Sequence, residues 1–213
     1  MKNDNLKRLV DLVVFLVVLI IGRTDGVITI FNDGDYHVID GYVADSVYVY
    51  DGPLGQPTTI EIINGAEIWG DVWLFGSSEA VVKGGYIYDD LGSNENAMIR
   101  ITGGMIGTMC AGGNSHIIVT GGQAHSDCNI QDLVLNSNGR IEIYGNDFNY
   151  PYGEILDEIG EIRGFLEDNT YIEWLFRRQK IGLSTEHLVL VPEPCTAFLL
   201  SICSMVLLRK VRK

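Results

Sequence analysis

Basic side chains are scarce in this chain: 15 Lys and Arg stand against 28 Asp and Glu, a formal net charge of −13 at pH 7. A nucleic-acid binder needs a basic surface to displace counterions from phosphates, so that class is excluded. Histidine is scarcer still, and His37, His116, His125 and His187 are scattered at no metal-ligand spacing. The Gly-rich calcium-binding repeat of some β-solenoids is also missing, so no metal and no cofactor is expected. Charged residues of both signs make up 20% of the chain while 46% are apolar, which rules out a disordered acidic tail. With 213 residues the chain is too short for two full enzyme domains. What it does hold is glycine, 25 against 5 prolines and often in pairs, which points to a repetitive, turn-rich β architecture.

Neither end offers the ~20 consecutive apolar residues that span a bilayer comfortably. At the N-terminus Lys2, Lys7 and Arg8 precede the apolar stretch Leu12 to Ile21, followed by Gly22-Arg23-Thr24-Asp25-Gly26. A positive head, a short apolar core and small or polar residues beyond it are the pattern of a secretory signal, here residues 1–26. The cleavage position stays open between Gly22 and Gly26. Sec-type export machinery is the partner that this segment predicts.

At the C-terminus Pro192-Glu193-Pro194 precedes the largely apolar run Cys195 to Leu208, and Arg209, Lys210, Arg212 and Lys213 close the chain. A basic cluster just past an apolar helix stays on the cytoplasmic side, which places the body outside. The order of Pro-Glu-Pro, short helix and basic tail over residues 192–213 resembles the PEP-CTERM sorting signal of bacterial proteins handled by an exosortase. The resemblance implies that Pro192, Glu193 and Pro194 are read by a membrane-embedded, transpeptidase-like enzyme, with the basic tail as the stop. The apolar run is 14 residues long. As a helix it covers ~21 Å against a hydrocarbon core of ~30 Å, so flanking residues are drawn in or the membrane anchor is transient. A plain C-terminal anchor, with the two prolines marking the helix start, is the competing reading.

Between Val27 and Pro194 only 7 basic residues face 25 acidic ones, so the exported body carries a charge near −18. Such a surface favours solubility and disfavours anionic polymers and lipids.

That body is built on repeats. Gly41, Gly65, Gly84, Gly103, Gly121 and Gly145 each end a β-branched run, at spacings of 24, 19, 19, 18 and 24. Two residues before these glycines stand Ile39, Ile63, Val82, Ile101, Val119 and Ile143, a uniformly apolar column. Three after the central ones stand Ile68, Ile87, Ile106 and Ala124, and seven after them Val72, Leu91, Cys110 and Cys128. Fixed columns on coils of this length predict an all-β fold, a right-handed parallel β-helix (solenoid) of about five short coils over residues 27–148. The pairs Gly84-Gly85, Gly103-Gly104 and Gly121-Gly122 fit corners that need positive φ. An antiparallel sandwich would explain the alternation but not the columns.

A solenoid end needs a cap, since bare strand edges invite polymerisation. Val27 to His37 is the expected N-terminal cap; in the C-terminal cap and linker, residues 149–191, Gly160 to Phe176 reads as a hairpin around Glu167-Asp168-Asn169-Thr170. Ile101-Thr102-Gly103-Gly104-Met105-Ile106-Gly107 and its neighbours, together with the sorting tail, resemble a group of PEP-CTERM surface proteins of environmental bacteria. That resemblance implies an exported β-helical body without an assigned activity.

Cys110 and Cys128 fall at equivalent positions of adjacent coils, which predicts either a coil-to-coil disulfide or a stacked pair of buried thiols. Asp71, Asp90 and Asp127 recur six residues after their glycines; a ladder of carboxylates could bind Ca2+, but Met109 breaks the row, and solvated turn residues are the favoured reading. Asp89 with Asp90, beside Asp71, is the best glycosidase-like grouping, but two carboxylates at the required separation are met by chance in so acidic a chain. No nucleophile and base pair stands out, so no catalytic residue is assigned. Trp69 and Trp73, near Tyr86 and Tyr88, offer either lateral packing or a stacking stripe for an exopolysaccharide. The function expected is that of a non-enzymatic, exosortase-sorted structural protein, anchored with its body outside the cytoplasm and then placed at the cell surface or in the extracellular matrix. A polysaccharide-binding or polysaccharide-cleaving β-helix is the alternative.

Overall fold

The computed structural model describes residues 28–124, 133–136, 138–179 and 187–193, and the regular elements among them are all β-strands. The expected signal segment and everything from Pro194 onward lie outside the described residues. Sixteen strands join in one mixed sheet.

Strand formation follows the alternation of the sequence: in Thr59–Ile62, for example, Ile60 and Ile62 are buried while Thr59 and Glu61 face outward. A first row opens with β1 (Thr29–Phe31), β4 (Val47–Val49) and β7 (Val72–Leu74), paired in parallel in that order. In a second, β2 (Tyr36–Ile39) pairs with β5 (Thr59–Ile62), and in a third β3 (Tyr42–Val43) pairs with β6 (Glu67–Ile68), again in parallel. Two long strands, β8 (Glu79–Ser93) and β9 (Met98–Ala111), cross all three rows. β10 (His116–Ala124) extends the second and third rows, β11 (Leu133–Asn136) the first and β12 (Arg140–Asn146) the second.

The long strands bend at glycine. Gly85, Gly104 and Gly122, the second member of each pair, have φ of 82, 95 and 96°, as the paired glycines led us to expect. Their backbones also lie close together: a Cβ on Gly104 would come within 3.0 Å of the Gly84 carbonyl oxygen.

Register converts the repeats into a core. Ile39, Ile62, Val82, Ile101, Val119, Ile143 and Leu190 form one continuous column across the second row, and all of them are buried. The expected member Ile63 is replaced by Ile62, because β5 ends at Ile62 and the turn to Gly65 takes one residue more than elsewhere. Val43, Ile68, Ile87, Ile106 and Ala124 make a second column, containing the four residues expected. The third runs Val47, Val72, Leu91, Met109, Leu133 and Phe176. Its fourth place holds Met109 and not Cys110: Tyr88 and Asp89 on β8 face the single residue Gly107 on β9, so a bulge shifts the count by one.

The sheet is not uniformly parallel, which corrects the simple stack expected. β14 (Ile159–Leu166) and β15 (Tyr171–Gln179) form an antiparallel hairpin over the predicted turn, where Asn169 adopts φ 66°. A turn this short returns the chain beside itself and forces antiparallel pairing. β14 also meets β12 in antiparallel fashion, while β15 lies parallel to β11. β16 (His187–Pro192) runs parallel to β12 and accepts β13 (Gly153–Glu154) in antiparallel pairing. The N-terminal segment expected as a cap supplies β1 and the start of β2, which pair in register with β4 and β5 as the first members of their rows.

Candidate functional site

Of the expected sorting motif, Pro192 and Glu193 are among the described residues. Pro192 ends β16 opposite Gly145, and the Glu193 amide donates to the Gly145 carbonyl at 3.3 Å. The Asn146 side-chain amide donates to Glu193 Oε1 at 2.5 Å, so the start of the motif is held against β12. Pro194 and the basic residues Arg209, Lys210, Arg212 and Lys213 lie outside the described residues.

Cys110 is a free thiol, and its register neighbours are Gly92 on one side and Val134 on the other. The place expected for Cys128 therefore belongs to Val134, and Cys128 itself lies outside the described residues. The expected pairing of Cys110 with Cys128 thus falls outside the described residues. Burial first, then the charges of Asp90 and Asp71, push the Cys110 thiol up to about 12. A thiol held protonated is neither a nucleophile nor a metal ligand.

Asp71 and Asp90 stand beside one another on adjacent strands, but Asp90 lies within β8 and is half-buried, not a solvated turn residue, and the row continues with Thr108 instead of Met109 because of the same bulge. The Asp90 amide donates to Asp71 Oδ1 at 3.0 Å. Burial, together with the charges of Asp71 and Asp89, raises the Asp90 carboxyl above its ordinary 3.8, and a hydrogen bond with Thr108 opposes the rise. Among the described residues no group of three or more His, Cys, Asp or Glu side chains is close enough together to hold a metal ion.

The aromatic residues around Trp69 and Trp73 divide into two groups. Trp69 stacks on Tyr88 with centroids 4.3 Å apart and planes 16° apart, and Tyr86 lies 4.6 Å from Tyr88. Trp73 belongs to the other group, with Tyr48, Tyr50 and Phe75, and its indole covers Gly92 so closely that a Cβ there would collide with the ring. Trp69 and Trp73 therefore do not build one platform.

A polar cluster on the second row went unread in the sequence. Arg140 Nε donates to Glu142 Oε1 at 2.7 Å and the Tyr144 hydroxyl to Oε2 at 3.0 Å, while His116 Nε2 stands 3.4 Å from Oε2. Burial pushes the Glu142 carboxyl up, but hydrogen bonds from Arg140 and Tyr144 and the charges of His116 and Arg140 outweigh it and hold the pKa below 4.5. Burial depresses the His116 pKa, and the Glu142 charge only partly offsets it. Period-two alternation puts Arg140, Glu142 and Tyr144 on one face of β12, a signal that could have found these three, while His116 joins them only through the register of β10 with β12. His116 Nε2 is buried without a well-formed hydrogen bond, which suits a structural imidazole better than a proton carrier working on a ligand.

No protein-family model matches the chain, and no curated protein or solved structure matches it either.

Proposed function

We propose that the chain is an exported, non-enzymatic structural protein of the cell surface or extracellular matrix, delivered by its signal segment and sorted through Pro192-Glu193-Pro194 by an exosortase-type enzyme. In this reading the three rows are the faces of a right-handed parallel β-helix, and the hairpin of β14 and β15 closes its C-terminal end.

The observation that carries the reading is the buried column from Ile39 to Leu190. Seven rungs in register give a stiff body whose contacts run from each rung to the next, as befits a spacer or matrix element. Two carboxylates of the glycosidase-like grouping already have partners within the body: Asp71 accepts the Asp90 amide, and Asp90 is bonded to Thr108. This favours the structural role over polysaccharide cleavage. With a body charge near −18, repulsion keeps copies apart until a covalent or neutral partner fixes them.

The test is fractionation of native cells carrying wild-type chain or a Pro192→Ala, Glu193→Ala double variant, with protease added outside. Wild type found at the surface or in the medium, with the variant retained in the membrane, supports sorting. Identical distribution of the two contradicts it.

A further inference from the structure

We propose that Trp69 is a stacking platform for one pyranose ring of a neutral polysaccharide, seated over Ala44. The parallel ladder Val43, Ile68, Ile87 makes Ala44, Trp69 and Tyr88 the next residues on three successive rungs. Adjacent strands of such a ladder lie about 4.8 Å apart. The 4.3 Å centroid distance of Trp69 and Tyr88 is therefore the stacking of one rung's ring on the next. On the other side of Trp69 the series ends, because the rung below presents the exposed methyl of Ala44 where another ring would continue it. Trp69 is 50% exposed accordingly.

The surroundings define what fits on that open indole. Tyr42, 66% exposed, stands on the same rung as Ala44 and opposite Glu67, while Asp45 follows Ala44 in the chain and accepts the Ser46 amide at 2.7 Å. From Val27 to Val82 the chain has no Lys or Arg, so the strands around Trp69 bring carboxylates and no cation of their own, and the nearest basic residue in sequence, Lys83, is paired with Glu61 at 2.9 Å. Carboxylates only accept hydrogen bonds. A suitable ligand must thus carry a flat apolar face, several donors and no negative charge. A pyranose of a neutral glycan has all three, with C–H groups on one face for the indole and hydroxyls around its rim for the carboxylates. An acidic polymer would be repelled. Trp73 is outside this site, since its ring is occupied in covering Gly92.

The inference concerns the body and not the tail, so it stands or falls apart from the sorting proposal. The experiment presents the full-length chain, in detergent, to an array of neutral glucans, mannans and galactans beside acidic alginate and hyaluronan, with calorimetry on the best neutral binder. Ala44→Trp fills the open step and Trp69→Ala removes the platform. Each is expected to weaken neutral-glycan binding by about tenfold or more, the worth of one aromatic stacking contact at its upper end. Ala44→Trp should keep or raise the melting temperature, and Trp73→Phe should bind as wild type. Binding to no neutral glycan, binding to acidic polymers alone, or wild-type affinity in Ala44→Trp would overturn the proposal.

Discussion

Asn146 holds Glu193: its side-chain amide donates to the Glu193 carboxylate at 2.5 Å across 47 residues of sequence. The bond joins the end of β12 to the residue just past β16, where the proposed sorting motif begins. A hydrogen bond to a charged group contributes about 1.5–3 kcal/mol, so its loss should free the backbone beyond Pro192. Asn146→Ala is expected to speed amide exchange at Glu193 by about tenfold with little change at Ile143, which hydrogen-exchange mass spectrometry resolves.

Gly104 adopts φ 95° with the Gly84 and Gly85 carbonyl oxygens 3.0 and 3.2 Å from where a Cβ would stand. Both obstacles are backbone and cannot swing aside. Gly104→Ala should cost about 1–3 kcal/mol, while Ala at Gly55, where nothing stands within 4 Å, meets only the φ penalty. Urea denaturation of the two variants separates contact from conformation.

Asp90 makes the opposite prediction. Its carboxyl titrates above 3.8 in the folded state, burial being the main cause, so the folded chain binds a proton more readily than the unfolded one. Stability from this group therefore falls as pH rises from 3.8 through the folded value, and the cost persists at neutral pH. Asp90→Asn keeps an acceptor for Thr108 and removes the charge, so the melting temperature at pH 7 should rise, and the gain should vanish in acid.

His116 behaves with the other sign. Burial lowers its pKa from 6.5, so the unfolded chain takes up the proton first. Stability is full above 6.5 and declines as pH falls from there to the folded value. Glu142, held below 4.5, adds a further loss as the pH drops from 4.5 through its own folded value. An NMR titration should place His116 below 6.5, and His116→Phe should flatten the fall in stability just below that pH.

The Cys110 thiol, pushed up to about 12, has almost no thiolate at pH 8. Alkylation followed by peptide mapping should label Cys110 at least about tenfold more slowly in the folded chain than in urea. Comparable rates would show that the thiol lies outside the protected rung.

Much of this architecture was legible because a residue's place on a rung is set by its distance from a glycine. Ile68, Ile87, Ile106 and Ala124 fell in one column as counted, since nothing intervenes between their glycines and the strand. Counting failed wherever a rung gained or lost a residue: at Ile62, where the turn to Gly65 is longer, and at Met109, where Tyr88 and Asp89 share Gly107. Both slips are local backbone geometry, which leaves no mark on composition or period. The glycine count is silent on the antiparallel strands: the hairpin of β14 and β15 was legible from its turn at Glu167-Asp168-Asn169-Thr170, whereas β13 has no glycine series to count from. Side-chain partnerships across rungs, such as Glu142 with His116 or Trp69 with Tyr88, follow from register and became readable only once the register was known.

Intact-mass measurement of the protein from native cells, beside the Pro192→Ala, Glu193→Ala double variant, tests the proposed export and processing at Pro192-Glu193-Pro194. The expected wild-type product lacks the signal segment and ends near Pro194, released or joined to glycan, and the variant retains its basic tail in the membrane. A wild-type chain that keeps Lys213 would contradict the proposal.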